Sequence, residues 1–236
     1  MKNLLLIALL GLLLGGFRPA SSPIKGAWKR SNTDGSVTVL VCSEQYLMYS
    51  SYERAGKKYQ LSGGGSYKAG NAGVVEYSPE FNTADSTTVG KGEAISYQLK
   101  TNGLSIAAGF FKGTWERLDD GNSDMTAAWR ISAREGNNGE MTPMQRGARK
   151  TIKLLSATRF QWAAINPETK QFFGTGGGTY TIKDGKYTET LEFFSRDNSR
   201  VGMALSFDWS LKGKDWDHSG KSSTGGKVHE IWSKED

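Results

Sequence analysis

The sequence predicts an all-β protein built from two tandem, antiparallel, up-and-down β-barrels of about eight short strands each. Three observations support this prediction: the composition, a period-two alternation of apolar and polar residues, and an order of motifs that occurs twice. The chain has 236 residues, of which 30 are glycine and only 5 are proline. Glycine at nearly twice its usual share, without a triplet repeat, is typical of a turn-rich globular chain and not of collagen.

Alternation is the strongest local signal. Across residues 205–211 apolar side chains occupy every second position and polar ones lie between them, as in a half-buried strand. Segments 166–170 and 183–186 have the composition of hairpin turns. Residues 141–148 are expected to form a single helical turn or a flap. Consecutive hairpins without a long crossover favour an up-and-down barrel over a Greek-key sandwich.

The repeat divides the chain into two units. The polar stretch 118–124 separates the copies, so we predict a signal peptide at 1–22, a first barrel at 23–118, a linker at 119–126 and a second barrel at 127–236. The second unit carries an extra loop at 137–147. The matched strings, in order, are 27–30 with 128–130, 61–67 with 174–180, 76–78 with 192–195, 89–90 with 201–202, and 113–116 with 230–233.

The first residues have the pattern of an export signal. Lys2 precedes an apolar run from Leu4 to Leu14, and small residues follow near Ala20. The run is too short for a comfortable membrane span, and the absence of a following cysteine argues against a lipoprotein anchor. We therefore expect a secreted or periplasmic protein with no stable membrane span after processing; an uncleaved tether is the alternative. The single cysteine, Cys42, lies in an apolar run and is expected to be a buried thiol.

A family resemblance rests on the second unit. The strings 150–154, 160–162, 176–180 and 187–194, in that order and spacing, resemble the lipocalin-like secreted β-barrel proteins of Bacteroidetes. The first unit departs from this pattern at 73–77, where a shorter strand stands. The resemblance implies two lipocalin-like barrels and a carrier of apolar ligands, although a fold alone does not establish a function.

Catalytic, metal and cofactor motifs find little support. The only histidines are His218 and His229, and no Gly-x-Ser-x-Gly elbow is present. In 215–218 a period of two separates both aspartates from His218, so these side chains are not expected to share a metal. The net charge of +6 is spread along the chain, which argues against nucleic-acid binding. We expect no catalytic residue, no metal and no cofactor.

The remaining constellation is a set of aromatic and ionisable side chains in the second unit. On the strand 186–194, Tyr187, Glu189, Leu191 and Phe193 share one face, which we take as inward. A carboxylate there must be paired or have a displaced pKa, and polar groups in an apolar pocket are candidates for binding. The predicted ligand-binding residues are Trp162, Tyr180, Tyr187, Glu189, Phe207, Trp209, Trp216 and His218.

The leading hypothesis is an exported, non-enzymatic, monomeric protein that binds a small apolar or aromatic molecule, mainly in the second barrel. Five of the seven tryptophans lie in that unit. The alternative is a cell-surface or secreted module that binds carbohydrate or protein through exposed aromatic side chains. An enzyme that uses Glu189 with His218 and a purely structural role are the remaining hypotheses.

Overall fold

A computed structural model describes residues 22–70, 73–101 and 103–235. The protein is all-β and consists of two closed, antiparallel, eight-stranded barrels in tandem, as the sequence predicts. Each barrel runs strictly in chain order, and its last strand pairs with its first. Apart from the strands, the described residues form two single-turn 3-10 helices, Ser86–Thr88 and Asn198–Arg200.

The strand bounds are as follows. The first barrel comprises β1 Gly26–Ser31, β2 Val37–Cys42, β3 Tyr46–Glu53, β4 Lys58–Ala69, β5 Val74–Asn82, β6 Glu93–Lys100, β7 Gly103–Ile106 and β8 Gly113–Asp119. The second comprises β9 Ala127–Glu135, β11 Lys150–Leu155, β12 Arg159–Asn166, β13 Gln171–Lys183, β14 Lys186–Phe194, β15 Ala204–Lys212, β16 Asp215–Lys221 and β17 Lys227–Lys234. The short strand β10, Met141–Pro143, pairs with β9 in place of the helical turn or flap expected for 141–148.

The two barrels have the same strand registers, which gives a residue-by-residue correspondence. It corrects one of the matched strings, because 192–195 corresponds to 80–83 and not to 76–78. Leu47 faces Gly65 in the first barrel as Phe160 faces Gly178 in the second. In each barrel a β-bulge lies at the same place opposite the triple-glycine strand, on β5 or on β14. A Cβ added at Gly65 or at Gly178 would lie 2.0 Å from a carbonyl oxygen of the neighbouring strand. The glycines therefore permit the close backbone approach that bends the sheet, as their sequence context indicates.

Three hydrophobic clusters stabilise the molecule. One fills the first barrel around Trp28 and Trp115, and another fills the closed end of the second around Trp129 and Trp216. The third lies between the barrels, where the outer faces of β2 and β3 pack against those of β11 and β12. Its buried members are Val39, Val41, Tyr46, Met48, Tyr52, Phe81, Ala128, Ile152, Leu154, Ala163, Ile165 and Phe193.

Polar contacts flank this interface on both sides. Lys150 Nζ lies 2.9 Å from Glu80 Oε2, and the Tyr52 hydroxyl donates to Glu192 Oε2 at 2.5 Å. Glu80 and Glu192 occupy equivalent positions beside the bulges of β5 and β14. The two barrels thus use the same face of the same fold to contact each other.

Residues 1–21 lie outside the described residues, and so does the predicted export signal except for Ser22. The Ser22 backbone N–H donates to Glu44 Oε2 at 2.6 Å, which attaches this residue to the first barrel. Cys42 is buried and free, and burial raises its pKa. Among the described residues no helix has the length and apolar character needed to cross a bilayer.

Candidate ligand-binding site in the second barrel

The second barrel encloses a cavity of about 510 Å³ that opens at one end. The opening, called the mouth here, lies where β9, β12, β14 and β16 end and β11, β13, β15 and β17 begin. Apolar walls, buried charged groups and a rim of arginines share the lining. The lining residues are Ile131, Arg134, Arg149, Thr151, Lys153, Trp162, Ala164, Glu189, Leu191, Phe194, Arg196, Leu205, Phe207, His218, Ser222, Ser223, Val228, Glu230 and Trp232.

The opposite end of the barrel is closed by packed aromatic rings. Trp216 contacts Trp129 edge to face with ring centroids 5.7 Å apart, and it contacts Tyr187 at 4.9 Å. The Tyr187 and Tyr180 rings lie 5.2 Å apart. Such contacts stabilise a core beyond the area they bury, so this end forms a solid floor beneath the cavity.

A buried ion pair crosses the interior above that floor. Lys153 Nζ on β11 lies 2.6 Å from Glu189 Oε1 on β14, and each side chain is only 6% exposed. The ammonium is also 5.1 Å from the centroid of Trp232 and 5.2 Å from that of Trp216, within the range of cation–π attraction. Charges are tolerated at this depth only when they are paired, so each group fixes the position of the other.

His218 is the least satisfied polar group of the cavity wall. It is 3% exposed, and neither ring nitrogen has a hydrogen-bond partner within the described protein. Its ring packs 4.0 Å from that of Phe207, and its Nδ1 lies 4.0 Å from Glu230 Oε2, too far for a hydrogen bond. Burial, reinforced by the nearby Lys153 ammonium, holds the pKa of His218 well below its usual value. The imidazole is therefore neutral and presents one donor and one acceptor.

A second ion pair lies nearer the mouth. Arg134 Nη2 donates to Glu230 Oε1 at 2.6 Å, and Trp232 Nε1 donates to Glu230 Oε2 at 3.1 Å. Glu230 is 8% exposed, whereas the arginine side chain is 56% exposed. The pair therefore links the interior to the solvent at the rim.

Two more arginines complete the rim, and both meet at Phe173 on β13. The Arg149 guanidinium lies 4.4 Å above the Phe173 ring, and Arg196 Nε donates to the Phe173 carbonyl at 2.8 Å. A Cβ on Gly174 (φ +151°) would lie 2.5 Å from Arg196 Nε, so the glycine makes room for this guanidinium. Leu61 holds the matching position in the first barrel.

In the described residues of the first barrel the interior space is smaller than in the second. Its core cavity measures about 10 Å³ and has an entirely apolar lining. Phe111, in the loop between β7 and β8, enters the mouth and packs edge to face against Tyr49 and Tyr77. Arg30 holds that loop in place by donating to the carbonyls of Phe110 and Lys112. Beside this plug lies a pocket of about 220 Å³, lined in part by Tyr49, Tyr77 and Asn82, the counterparts of Trp162, Glu189 and Phe194.

Matched positions explain the difference in the interiors. Leu40 and Tyr77 stand where the second barrel has Lys153 and Glu189, as the strand registers show. Ile106 likewise stands where the second barrel has His218. The second barrel thus has ionisable side chains at positions where the first has apolar or phenolic ones.

The predicted site residues fall into two groups and an outlier. Trp162, Glu189, Phe207 and His218 line the cavity. Tyr180, Tyr187 and Trp216 belong to the floor beneath it, where burial raises the pKa of Tyr180 to about 12. Trp209 pairs with His218 across β15 and β16 and packs, half-buried, against the same core, but it does not line the cavity.

The inward face predicted for β14 needs one correction. Tyr187, Glu189 and Leu191 are buried inside the barrel, but Phe193 packs between the barrels and stacks on Tyr52 at 5.0 Å. The bulge opposite Gly177 and Gly178 inserts Glu192 and reverses the alternation, so Phe194 takes the inward position.

Sequence reasoning missed five charged residues of the site, namely Lys153, Glu230, Arg134, Arg149 and Arg196. The alignment of the two copies contained a signal for the first. The matched strings 61–67 and 174–180 are offset by 113 residues, and the same offset places Lys153 at the position of Leu40. No local pattern marks the arginines, because the end of β9 and two loops that are distant in sequence bring them to one rim.

No metal site is present among the described residues, in which no group of three or more histidine, cysteine, aspartate or glutamate side chains is arranged to hold an ion. In β16 Trp216 and His218 point inward and Asp215 points outward. Asp217 lies on the outer face and contacts His229 Nε2 at 3.1 Å. The alternation within 215–218 therefore separates the acids from His218 as expected.

Comparisons with known proteins add little to this picture. No protein-family model matches the chain, and no curated protein matches it. A solved structure that is similar to part of it is an uncharacterized protein from Bacteroides eggerthii, with 15% identity, a TM-score of 0.34, and coverage of 47% of this chain and 99% of that one. A likeness at this level carries no functional argument, so the lipocalin-like resemblance stays a prediction.

Proposed function

We propose that this protein is an exported, non-enzymatic, lipocalin-like carrier that binds a small apolar or aromatic molecule in its second barrel. One observation carries the proposal: the second barrel holds a cavity of about 510 Å³, whereas Phe111 narrows the matching part of the first barrel to a pocket of about 220 Å³. Small-molecule sites typically occupy about 300–1,000 Å³ and combine apolar walls with a few polar groups.

The lining agrees with such a ligand. Trp162, Phe194 and Phe207 offer flat apolar contact area, and the neutral His218 offers an unused donor and acceptor. A larger groove of about 570 Å³ runs along the outside of the first barrel, but most of its side chains, including Lys100 and Glu116, are exposed. It lacks the enclosed aromatic wall that favours the second barrel.

The alternative of a glycan- or protein-binding surface receives less support. It requires exposed tryptophan or tyrosine side chains on an outer face. All seven tryptophans and all nine tyrosines lie in the described residues, and each is buried or half-buried. The exposed large apolar side chains among these residues are Leu99, Phe110, Met141, Met144, Ile182 and Met203.

We propose binding in preference to catalysis, although Glu189 and His218 do line one cavity. The Glu189 carboxylate is held by Lys153 Nζ at 2.6 Å, and aromatic rings surround that pair. A general acid or base must exchange a proton with the substrate. Here the carboxylate is instead engaged in a buried ion pair that joins β11 and β14.

Native mass spectrometry of the protein purified from its own cell tests the proposal. We expect a bound small molecule that is lost on denaturation and lost in Trp162→Ala. Tyr49→Ala, at the matching position of the first barrel, is the control and should retain the adduct. In parallel, the neutral fluorophore N-phenyl-1-naphthylamine should bind the stripped protein at one saturable site. Absence of both the adduct and fluorophore binding would reject the carrier function.

A further inference from the structure

The charges that line the cavity are unbalanced. Four basic side chains contribute to the lining, Arg134, Arg149, Lys153 and Arg196, against two acidic ones. Glu189 pairs with Lys153, and Glu230 pairs with Arg134. Within the described part of the chain, the guanidinium groups of Arg149 and Arg196 contact no carboxylate. The mouth therefore carries two positive charges that no carboxylate of the described residues neutralises.

These two guanidinium groups converge from different loops. Arg149 precedes β11 and Arg196 follows β14, yet both contact Phe173, one through the ring face and one through the backbone carbonyl. Arg196 keeps donors beyond those it spends on this carbonyl, and Arg149 is held by its planar face alone. Planar forks of this kind suit a carboxylate, which they bind through paired charge-assisted hydrogen bonds.

Both arginines are particular to the second barrel. The strand registers place Ser36 and Ala84 at the matching positions of the first barrel, whose mouth is closed by Phe111. The glycine that admits Arg196 replaces Leu61 in the same way. The larger cavity, the glycine at the mouth and the two arginines thus occur together in the second barrel, and the first barrel has a smaller pocket without them.

A second, independent observation points to a ligand. His218 is 3% exposed, lines the same cavity and has both ring nitrogens without a partner. Buried polar atoms are normally satisfied, so an exception on a cavity wall indicates that the occupant supplies a polar atom there. The cavity therefore offers a cationic outer end, aromatic walls and a neutral hydrogen-bonding group inside.

We infer that the ligand of the second barrel is an amphipathic carboxylate, whose anionic group lies between Arg149 and Arg196 and whose apolar body extends inward along Trp162 and Phe207. This inference rests on the proposed carrier function. The carboxylate neutralises the rim, and a polar atom further along the ligand reaches His218.

A matched pair of probes tests this inference. 2-Naphthoate and 2-naphthamide share one ring system and differ in charge. Isothermal titration of the full protein at low ionic strength should show the anion binding at least about tenfold more tightly, and added salt should reduce the difference. Arg149→Gln combined with Arg196→Gln should remove the preference by weakening the anion far more than the amide. Lys183→Gln, an exposed charge at the closed end of the barrel, is the control and should alter neither affinity.

The outcomes separate the two proposals. Equal affinities for the two probes, or a preference for the anion that survives the double arginine variant, would overturn the carboxylate assignment while leaving the carrier function intact. A double variant that weakens both probes alike would also overturn it, because the arginines would then only shape the mouth. If neither probe nor N-phenyl-1-naphthylamine binds, the carrier function itself fails.

Discussion

The two barrels of this protein share a frame and differ in what they enclose. Both have the same registers, both bend at a triple-glycine strand, and both anchor an interior tryptophan through a hydrogen bond to the carbonyl four residues earlier, Trp28 to Ile24 and Trp129 to Met125. Inside, the first barrel is apolar and plugged, and the second contains an ion pair, a neutral histidine and an open cavity. Backbone geometry and interior chemistry have therefore varied independently.

This separation has a physical basis. The frame depends on backbone hydrogen bonds and on glycines at points of close approach, and neither needs a particular interior side chain. The interior side chains need only fill the space and provide partners for any buried polar groups. A barrel that exchanges Leu40 and Tyr77 for Lys153 and Glu189 stays folded as long as the two charges are introduced together.

The largest expected effect comes from breaking the buried ion pair. Glu189→Gln leaves the Lys153 ammonium buried without a carboxylate and should lower the free energy of unfolding by about 3–5 kcal/mol. The double variant Lys153→Leu with Glu189→Tyr copies the first barrel and should recover to within about 1 kcal/mol of the wild type. Urea denaturation followed by tryptophan fluorescence measures both. A double variant as unstable as the single one would show that the two interiors are not interchangeable.

Removing Phe111, the plug of the first barrel, tests whether this side chain accounts for the difference between the two interiors. Phe111→Ala should cost about 3 kcal/mol, because a buried ring is lost, and should open the first barrel to N-phenyl-1-naphthylamine. Phe110→Ala is the matched control: this neighbouring ring is 40% exposed, so its removal should cost less than about 1 kcal/mol. Fluorophore stoichiometry and denaturation provide the readouts. An unchanged stoichiometry in Phe111→Ala would mean that the plug is not what closes this barrel.

The shared glycines should behave alike in both barrels. Gly65→Ala and Gly178→Ala each place a methyl group 2.0 Å from a carbonyl oxygen, so each should lower the free energy of unfolding by about 1–3 kcal/mol. Gly147→Ala, whose added Cβ meets nothing within 4 Å, should change it by less than about 0.5 kcal/mol. Unequal losses at Gly65 and Gly178 in the same denaturation assay would contradict a common frame.

The smallest effect concerns pH. Burial keeps the pKa of His218 below its unfolded value of about 6.5, so the folded state binds fewer protons. The stability that this group contributes is fully present above about pH 6.5 and is lost as the pH falls, by at most about 1.4 kcal/mol per unit. Glu230 and Lys153 face the ring with opposite charges.

His218→Ile, which copies Ile106 of the first barrel, is the variant that isolates this contribution. Denaturation at pH 7 and pH 5 should show a smaller loss of stability in the variant than in the wild type. Identical dependence of stability on pH in the two proteins would show that protonation of His218 does not contribute to the loss of stability at low pH.

The sequence allowed the fold to be predicted because its signals are local. Alternation, hairpin composition and the repeat each act over a few residues, and together they indicate two barrels. The inward positions of Glu189 and His218 follow from the same alternation and agree with the structure. The prediction for Phe193 was wrong, because one bulged residue is enough to reverse the face of everything after it.

The charged part of the site depends on longer-range information. Lys153 was detectable by comparing it with Leu40 in the other copy. Arg149 and Arg196 lie 47 residues apart in the sequence numbering and meet only because β11 and β14 are bent around one mouth. The closure of a barrel determines which loops lie at the same rim. This closure depends on pairing between distant strands, so no short segment of the sequence reveals it.

The contact between the barrels has a consequence for the history of the chain. Each barrel presents the face of β2 and β3, or its equivalent, to the other, so a single barrel of this kind has the surface needed to pair with a second copy of itself. Fusion of two copies keeps each partner permanently near the other, at an effective concentration that dilution cannot lower. Within such a fixed pair the two interiors can differ, as they do here, where the second barrel holds the larger cavity.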